Sequence, residues 1–222
     1  MTLESSKNLG GIGAVLMFIG FVTIPGAQPF LGIVALIGLI LVLVALHDFA
    51  NIYKESGIFN NSIYGFVTGI VGTVIAAVVA AYVFFYTSIF TDFLHNIYPG
   101  WNGSWSTLSG LTPTFSNITT SDLAPIIGSV VLVLVILWIF GIIAAFFARQ
   151  SLNTLSAKAR VDLFSTAALL LLIGAFLTII FIGAILMWIA VLLIAIAFFQ
   201  IKPQPEQPPV TVAPPPSTPT PT

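Results

Sequence analysis

The stretch 163–201, LFSTAALLLLIGAFLTIIFIGAILMWIAVLLIAIAFFQI, decides the fold class. Its 39 residues include no Asp, Glu, Lys or Arg. As one straight helix it would run about 58 Å at 1.5 Å per residue. The hydrocarbon core of a bilayer is only about 30 Å thick. The segment is therefore expected to fold back near Ile179–Gly183 ("IIFIG"), giving two short apolar helices side by side.

The rest of the chain repeats this chemistry. Further apolar segments run over Leu9–Ile24, Phe30–Leu46, Ile63–Phe90 and Pro125–Phe147. Of the 222 residues, 58% are hydrophobic and 6% charged, and mean hydropathy is +1.12. Soluble domains carry about 25% charged residues. Too few charges remain to cover a water-facing surface, so lipid is the expected solvent. The sequence predicts an all-α integral membrane protein of about six transmembrane helices. Its first and last pairs form short hairpins, and Pro25-Gly26 and Pro29 punctuate the first pair. These short pairs fit either thin spans or re-entrant hairpins. A net charge of -1 gives no reason to expect nucleic acid. The absence of Cys removes disulfides, thiolate catalysis and cysteine metal sites.

All six Lys and Arg residues (Lys7, Lys54, Arg149, Lys158, Arg160, Lys202) fall on one side of a six-span arrangement. Basic residues near span ends stay cytoplasmic. Both termini are thus expected inside, and this holds equally if the short pairs are re-entrant. The expected organisation is a cytoplasmic N-terminus over 1–8, a helical membrane domain over 9–201 and a disordered Pro/Thr-rich tail over 202–222. Within the membrane domain, 91–124 is the outer loop, and 47–62 and 148–162 are inner loops. The inner loops continue a helical pattern, with Phe49 and Ile52, and Leu152 and Leu155, three apart. They read either as helix ends lying in the interface or as plain connectors. The outer loop holds Tyr98, Trp101 and Trp105, residues suited to a membrane interface. It also holds two N-x-[ST] sequons, making Asn102 and Asn117 candidate N-glycosylation sites. Such triplets also arise by chance in Ser/Thr-rich sequence. A third sequon at Asn60 falls on the inner side and is expected to cap the third helix.

An internal repeat is suggested. "LGGIGAVLMFIG" at 9–20 aligns without a gap on "LFSTAALLLLIG" at 163–174, matching Gly20 to Gly174. "FLGIV" at 30–34 then aligns on "FIGAI" at 181–185. Apolar segments align readily, so the glycines carry the comparison. The repeat would be parallel rather than inverted. The recurrence deep in the chain also argues against reading "SKNLGGIGAVLMFIG" as a signal peptide. With no preceding strand and no Lys-Ser/Thr following, "GGIG" is no phosphate loop either.

Sites are sparse. No ionisable residue lies away from a span end, the usual mark of a proton relay or ion path. The mid-span hydroxyls Thr68, Thr73, Ser129 and Thr178 can satisfy themselves on their own helix backbone. Asp92 and His95 stand three apart but lack a third metal ligand. No catalytic residue, cofactor or metal is expected. The sharpest pattern is "YGFVTGIVGTVIAAVVAAY", where Gly65, Gly69, Thr73 and Ala77 recur every four residues beside a stripe of Gly72, Ala76 and Ala80. Small residues at this spacing let helices approach closely. The seam fits packing within the chain or association with a second copy or another membrane protein.

The opening "LGGIGAVLMFIG", the "GIFNNSIYG" entry to the third span, and "RQSLNTLSAKARVDLFSTAALLLLIGAFLTII" together resemble an uncharacterised family of archaeal multi-pass membrane proteins, Domain of Unknown Function 996. The resemblance covers most of residues 3–201, rests on glycine and apolar patterns, and implies a cell-membrane location. It brings no catalytic residues. The expected role is non-enzymatic, structural or assembly-related, in contact with the lipid bilayer. The alternative is a small transporter or channel for a neutral or lipid-like molecule.

Overall fold

The structure, a computed structural model, describes residues 2–21, 28–116 and 118–202. It is all-helical, with no strand among these residues. The tail 203–222, the Pro25-Gly26 turn and Asn117 lie outside the described residues. Seven α-helices follow in order: α1 Leu3–Gly20, α2 Gln28–Ile52, α3 Ser56–Tyr86, α4 Ile89–Ile97, α5 Thr120–Ala159, α6 Leu163–Leu177 and α7 Ile182–Gln200. Short 3-10 turns occupy Trp105–Gly110 and Thr178–Ile180. Among the described residues, five helical segments are long and apolar enough to cross a membrane: Phe30–Ile52, Ser56–Tyr86, Thr120–Ala159, Leu163–Ile180 and Ile182–Gln200. The first helix, α1, begins with the polar run Glu4-Ser5-Ser6-Lys7-Asn8, which shortens its apolar length.

The helices form three antiparallel pairs: α1 with α2, α3 with α5, and α6 with α7. Helix α7 packs on α1, α6 on α5, and α2 on α3, so the hairpins flank the long central pair. Each pair is closed by small residues. A Cβ on Gly38 would lie 2.5 Å from Gly13 O and 2.7 Å from Met17 N. A Cβ on Gly174 would lie 2.9 Å from Gly183 O. Within α3–α5, Gly72 lies against Phe140 and Gly65 against the Ala144 carbonyl. Without a hydrophobic force between helices in lipid, this close backbone approach supplies the contact. The aligned glycines Gly20 and Gly174 both face the partner helix of their hairpin, Ala35 and Met187 respectively. Gly32 and Gly183 differ: Gly183 meets the Gly174 carbonyl, whereas Gly32 has nothing within 4 Å.

The tightest packing is at the end carrying the basic residues. Phe49, Ile58, Leu155, Phe164, Phe198 and Ile201 are fully buried there, drawn from five helices and the residue after α7. Rings of Phe49 and Phe164 both pack on Phe198. The inner segments 47–62 and 148–162 do continue their helices, but their apolar residues lie in the core rather than in the interface. Helices α2, α3 and α5 continue through them, and Phe49, Leu152 and Leu155 face the core. Their chain reversals are brief. Lys54 and Arg160 each adopt left-handed backbone, φ 52 and 56, where α2 and α5 end. Asn60 also departs from expectation: α3 begins at Ser56, so Asn60 lies inside it rather than at its cap.

Candidate functional site: an apolar cavity between the hairpins

Beyond this core the three pairs do not fill the space between them. A cavity of about 780 Å³ opens between them, within the usual range of about 300–1,000 Å³ for ligand sites. Helices α1 and α2 contribute Met17 and Leu43, α3 contributes Gly69 and Thr73, α5 contributes Gly141 and Ala144, and α7 contributes Met187 and Trp188. The lining is apolar apart from a few hydroxyls and the indole. Gly69 and Gly141 stand on facing helices, and a Cβ on either would meet nothing within 4 Å. The missing side chains of these two glycines are therefore part of the empty space.

The polar groups at the cavity are already engaged. Ser62 and Ser151, both buried, each donate to the Ile58 carbonyl, at 2.8 and 2.6 Å. Their hydroxyl oxygens also lie 2.6 Å apart. This cluster ties α3 to α5 at the cavity floor. Thr73 donates to Gly69 O at 2.8 Å, and Trp188 Nε1–H donates to Phe18 O at 3.0 Å. Elsewhere in the apolar helices, Ser129 and Thr178 donate to Pro125 O and Gly174 O. Hydroxyls thus bond the carbonyl one turn back, as their own helices allow. Among the described residues, the buried polar or charged ones are all serines: Ser6, Ser62, Ser151 and Ser156. Each is hydrogen-bonded, Ser6 to Asp48 Oδ2 at 3.1 Å and Ser156 to Val161 O at 3.0 Å. The cavity offers shape and apolar contact rather than acid–base chemistry.

The sequence candidates are distributed unevenly around this site. In the four-residue stripe, Gly65, Gly69 and Thr73 line the cavity, Gly65 also packing on α5, and Ala77 is exposed beyond it. Gly72 and Ala76, from the adjacent stripe, are buried, while Ala80 is exposed. Asn102 is exposed, and its Oδ1 accepts from Ser104 N–H at 3.0 Å and from the Thr107 hydroxyl at 2.9 Å. Asp92 and His95 are exposed on α4, with the His95 ring 4.9 Å from Trp101. Among the described residues no three His, Cys, Asp or Glu side chains gather as metal ligands would. Gly141 and the indoles of Trp138 and Trp188 were not singled out from the sequence. A signal existed for the indoles, since a Trp N–H inside an apolar run needs an acceptor.

Architecture and cavity define a class: an all-α membrane protein in which a long helix pair is flanked by two short hairpins. Residues 34–192 match the family described as "Protein of unknown function (DUF996)", and the chain belongs to that family. It is 27% identical over 201 residues to the uncharacterized protein MJ1644 of Methanocaldococcus jannaschii, covering 90% of this chain and 94% of the relative. No solved structure matches the chain.

Proposed function

We propose that this protein is a non-enzymatic membrane protein that holds a neutral, lipid-like molecule in the cavity between its hairpins, with its basic end at the cytoplasm. The apolar cavity walled by Gly69, Gly141, Met187 and Trp188 carries the reading. An apolar chain is the ligand such a lining suits, because the hydroxyls there are engaged with backbone carbonyls and leave no charge to complement. The six basic residues support the orientation, since such residues are retained on the cytoplasmic side. The earlier expectation of an assembly role drew on the stripe Gly65, Gly69, Thr73 and Ala77. Its first three members line the cavity, so a foreign helix would compete for the same space.

The test uses the two open glycines. Native mass spectrometry of the full chain in mild detergent should show retained lipid-sized adducts. Gly69→Phe together with Gly141→Phe should abolish them while leaving the thermal midpoint within a few degrees. Adducts that survive in the double variant would reject the cavity as their site. A stoichiometric second protein in place of lipid would favour assembly.

A further inference from the structure

We infer that α6–α7 is a re-entrant hairpin, entering the bilayer from the basic side and turning back near its midplane while α3 and α5 cross it. Three observations converge on this.

The first is height along α5. The exposed surface of this helix changes character at residues 148–150. Toward its N-terminus it exposes Ile127, Val130, Val131, Leu132 and Leu134. Toward its C-terminus it exposes Gln150 and Lys158 and buries Leu152 and Leu155, as a water-facing helix does. Arg149 marks the boundary, and Tyr64 of α3 packs on Phe147 at the same height. From Tyr64 to Phe85, α3 rises about 32 Å, matching the hydrocarbon thickness. The α6–α7 tip reaches only part of that distance. Trp138 of α5 donates its indole N–H to the Phe176 carbonyl at 3.2 Å, one residue before α6 ends. Trp138 stands eleven residues from Arg149 and eleven from Ile127, about 16 Å each way.

The second is the chemistry of the tip. Ile179, Ile180, Phe181 and Ile182 connect α6 to α7, and each is more than half exposed, Phe181 by 82%. A turn at an aqueous surface would be polar. This one presents only hydrocarbon.

The third is how the helix ends are satisfied. The last carbonyls of a helix lack intrahelical partners, and inside lipid no water supplies them. Phe18 O near the end of α1 and Phe176 O near the end of α6 each accept an indole N–H from a neighbouring helix. Gly174 O accepts the Thr178 hydroxyl, and Thr178 O accepts Phe181 N–H.

The alternative, in which α6 and α7 both cross fully, would raise the outer halves of α3 and α5 into water, exposing Val78, Phe85, Ile127 and Leu132 there. Since the chain has no Cys, single cysteines can carry a nitroxide without background. Phe181→Cys and Ile179→Cys would be labelled in the full chain in liposomes, with Leu137→Cys, Val78→Cys and Tyr86→Cys for comparison. All five positions are exposed, so the label displaces no packed core. The ratio of oxygen to nickel-chelate accessibility reports depth. The expected result is a ratio at Phe181 and Ile179 equal to that at Leu137 and several-fold above that at Tyr86, with Val78 between them. A tip ratio equal to or below that at Tyr86, or a water-accessible Val78, would overturn the inference. Hairpin depth is read without reference to any ligand, so this result stands or falls apart from the cavity proposal.

Discussion

Trp188 shows how one residue serves two demands. Its ring stacks on Phe18 and its N–H caps the Phe18 carbonyl, so a single side chain locks α7 to the end of α1. Trp188→Phe keeps most of the ring contact and leaves the carbonyl without this donor. The expected loss is about 1–2 kcal/mol, read as a lower thermal midpoint in detergent. An unchanged midpoint would mean that another donor replaces the indole. The sequence displayed Trp188 plainly inside an apolar run, and its need for an acceptor was readable. Which acceptor it takes was not, because Phe18 lies 170 positions away. Asn102 illustrates the opposite case, since its contacts to Ser104 and Thr107 are local and the sequon was visible at once.

At the scale of helices, glycines that look alike in sequence do different work. Gly38 sits where a Cβ would strike the backbone of α1, at Gly13 O and Met17 N, and backbone cannot step aside. Gly69 has open space. Gly38→Leu should therefore prevent the α1–α2 pair from closing, giving a loss of folded, monodisperse protein on gel filtration. Gly69→Leu should leave the elution profile unchanged. Equal behaviour of the two variants would contradict this packing. The four-residue repetition showed that α3 has a small-residue face. It did not show which stripe is used, because Gly65 and Gly72 face α5 only through the rotation and tilt of the pair. The same limit explains the inner segments. Their helical periodicity was legible, but Phe49 and Leu155 read as interfacial until α6 and α7 were found packed over them.

For the whole molecule, the charge pattern predicts that the basic end and the 98–118 segment lie on opposite faces of the membrane. Ala157→Cys and Ser109→Cys, both at exposed positions, should react differently with an impermeant maleimide. Ser109→Cys should label from the outside of intact cells, and Ala157→Cys only after permeabilisation. Labelling of both from one face would reverse the topology. The sequence by itself determined the solvent and the element type, because composition sets which surfaces water will tolerate and because apolar length sets where a chain must turn. It also determined that the basic residues share one end. Only the tertiary structure decided which glycines close helix pairs and that a cavity remains between the pairs. Those features depend on relative heights and rotations of helices far apart in the chain, and close packing at Gly38, Gly72 and Gly174 fixes them in three dimensions.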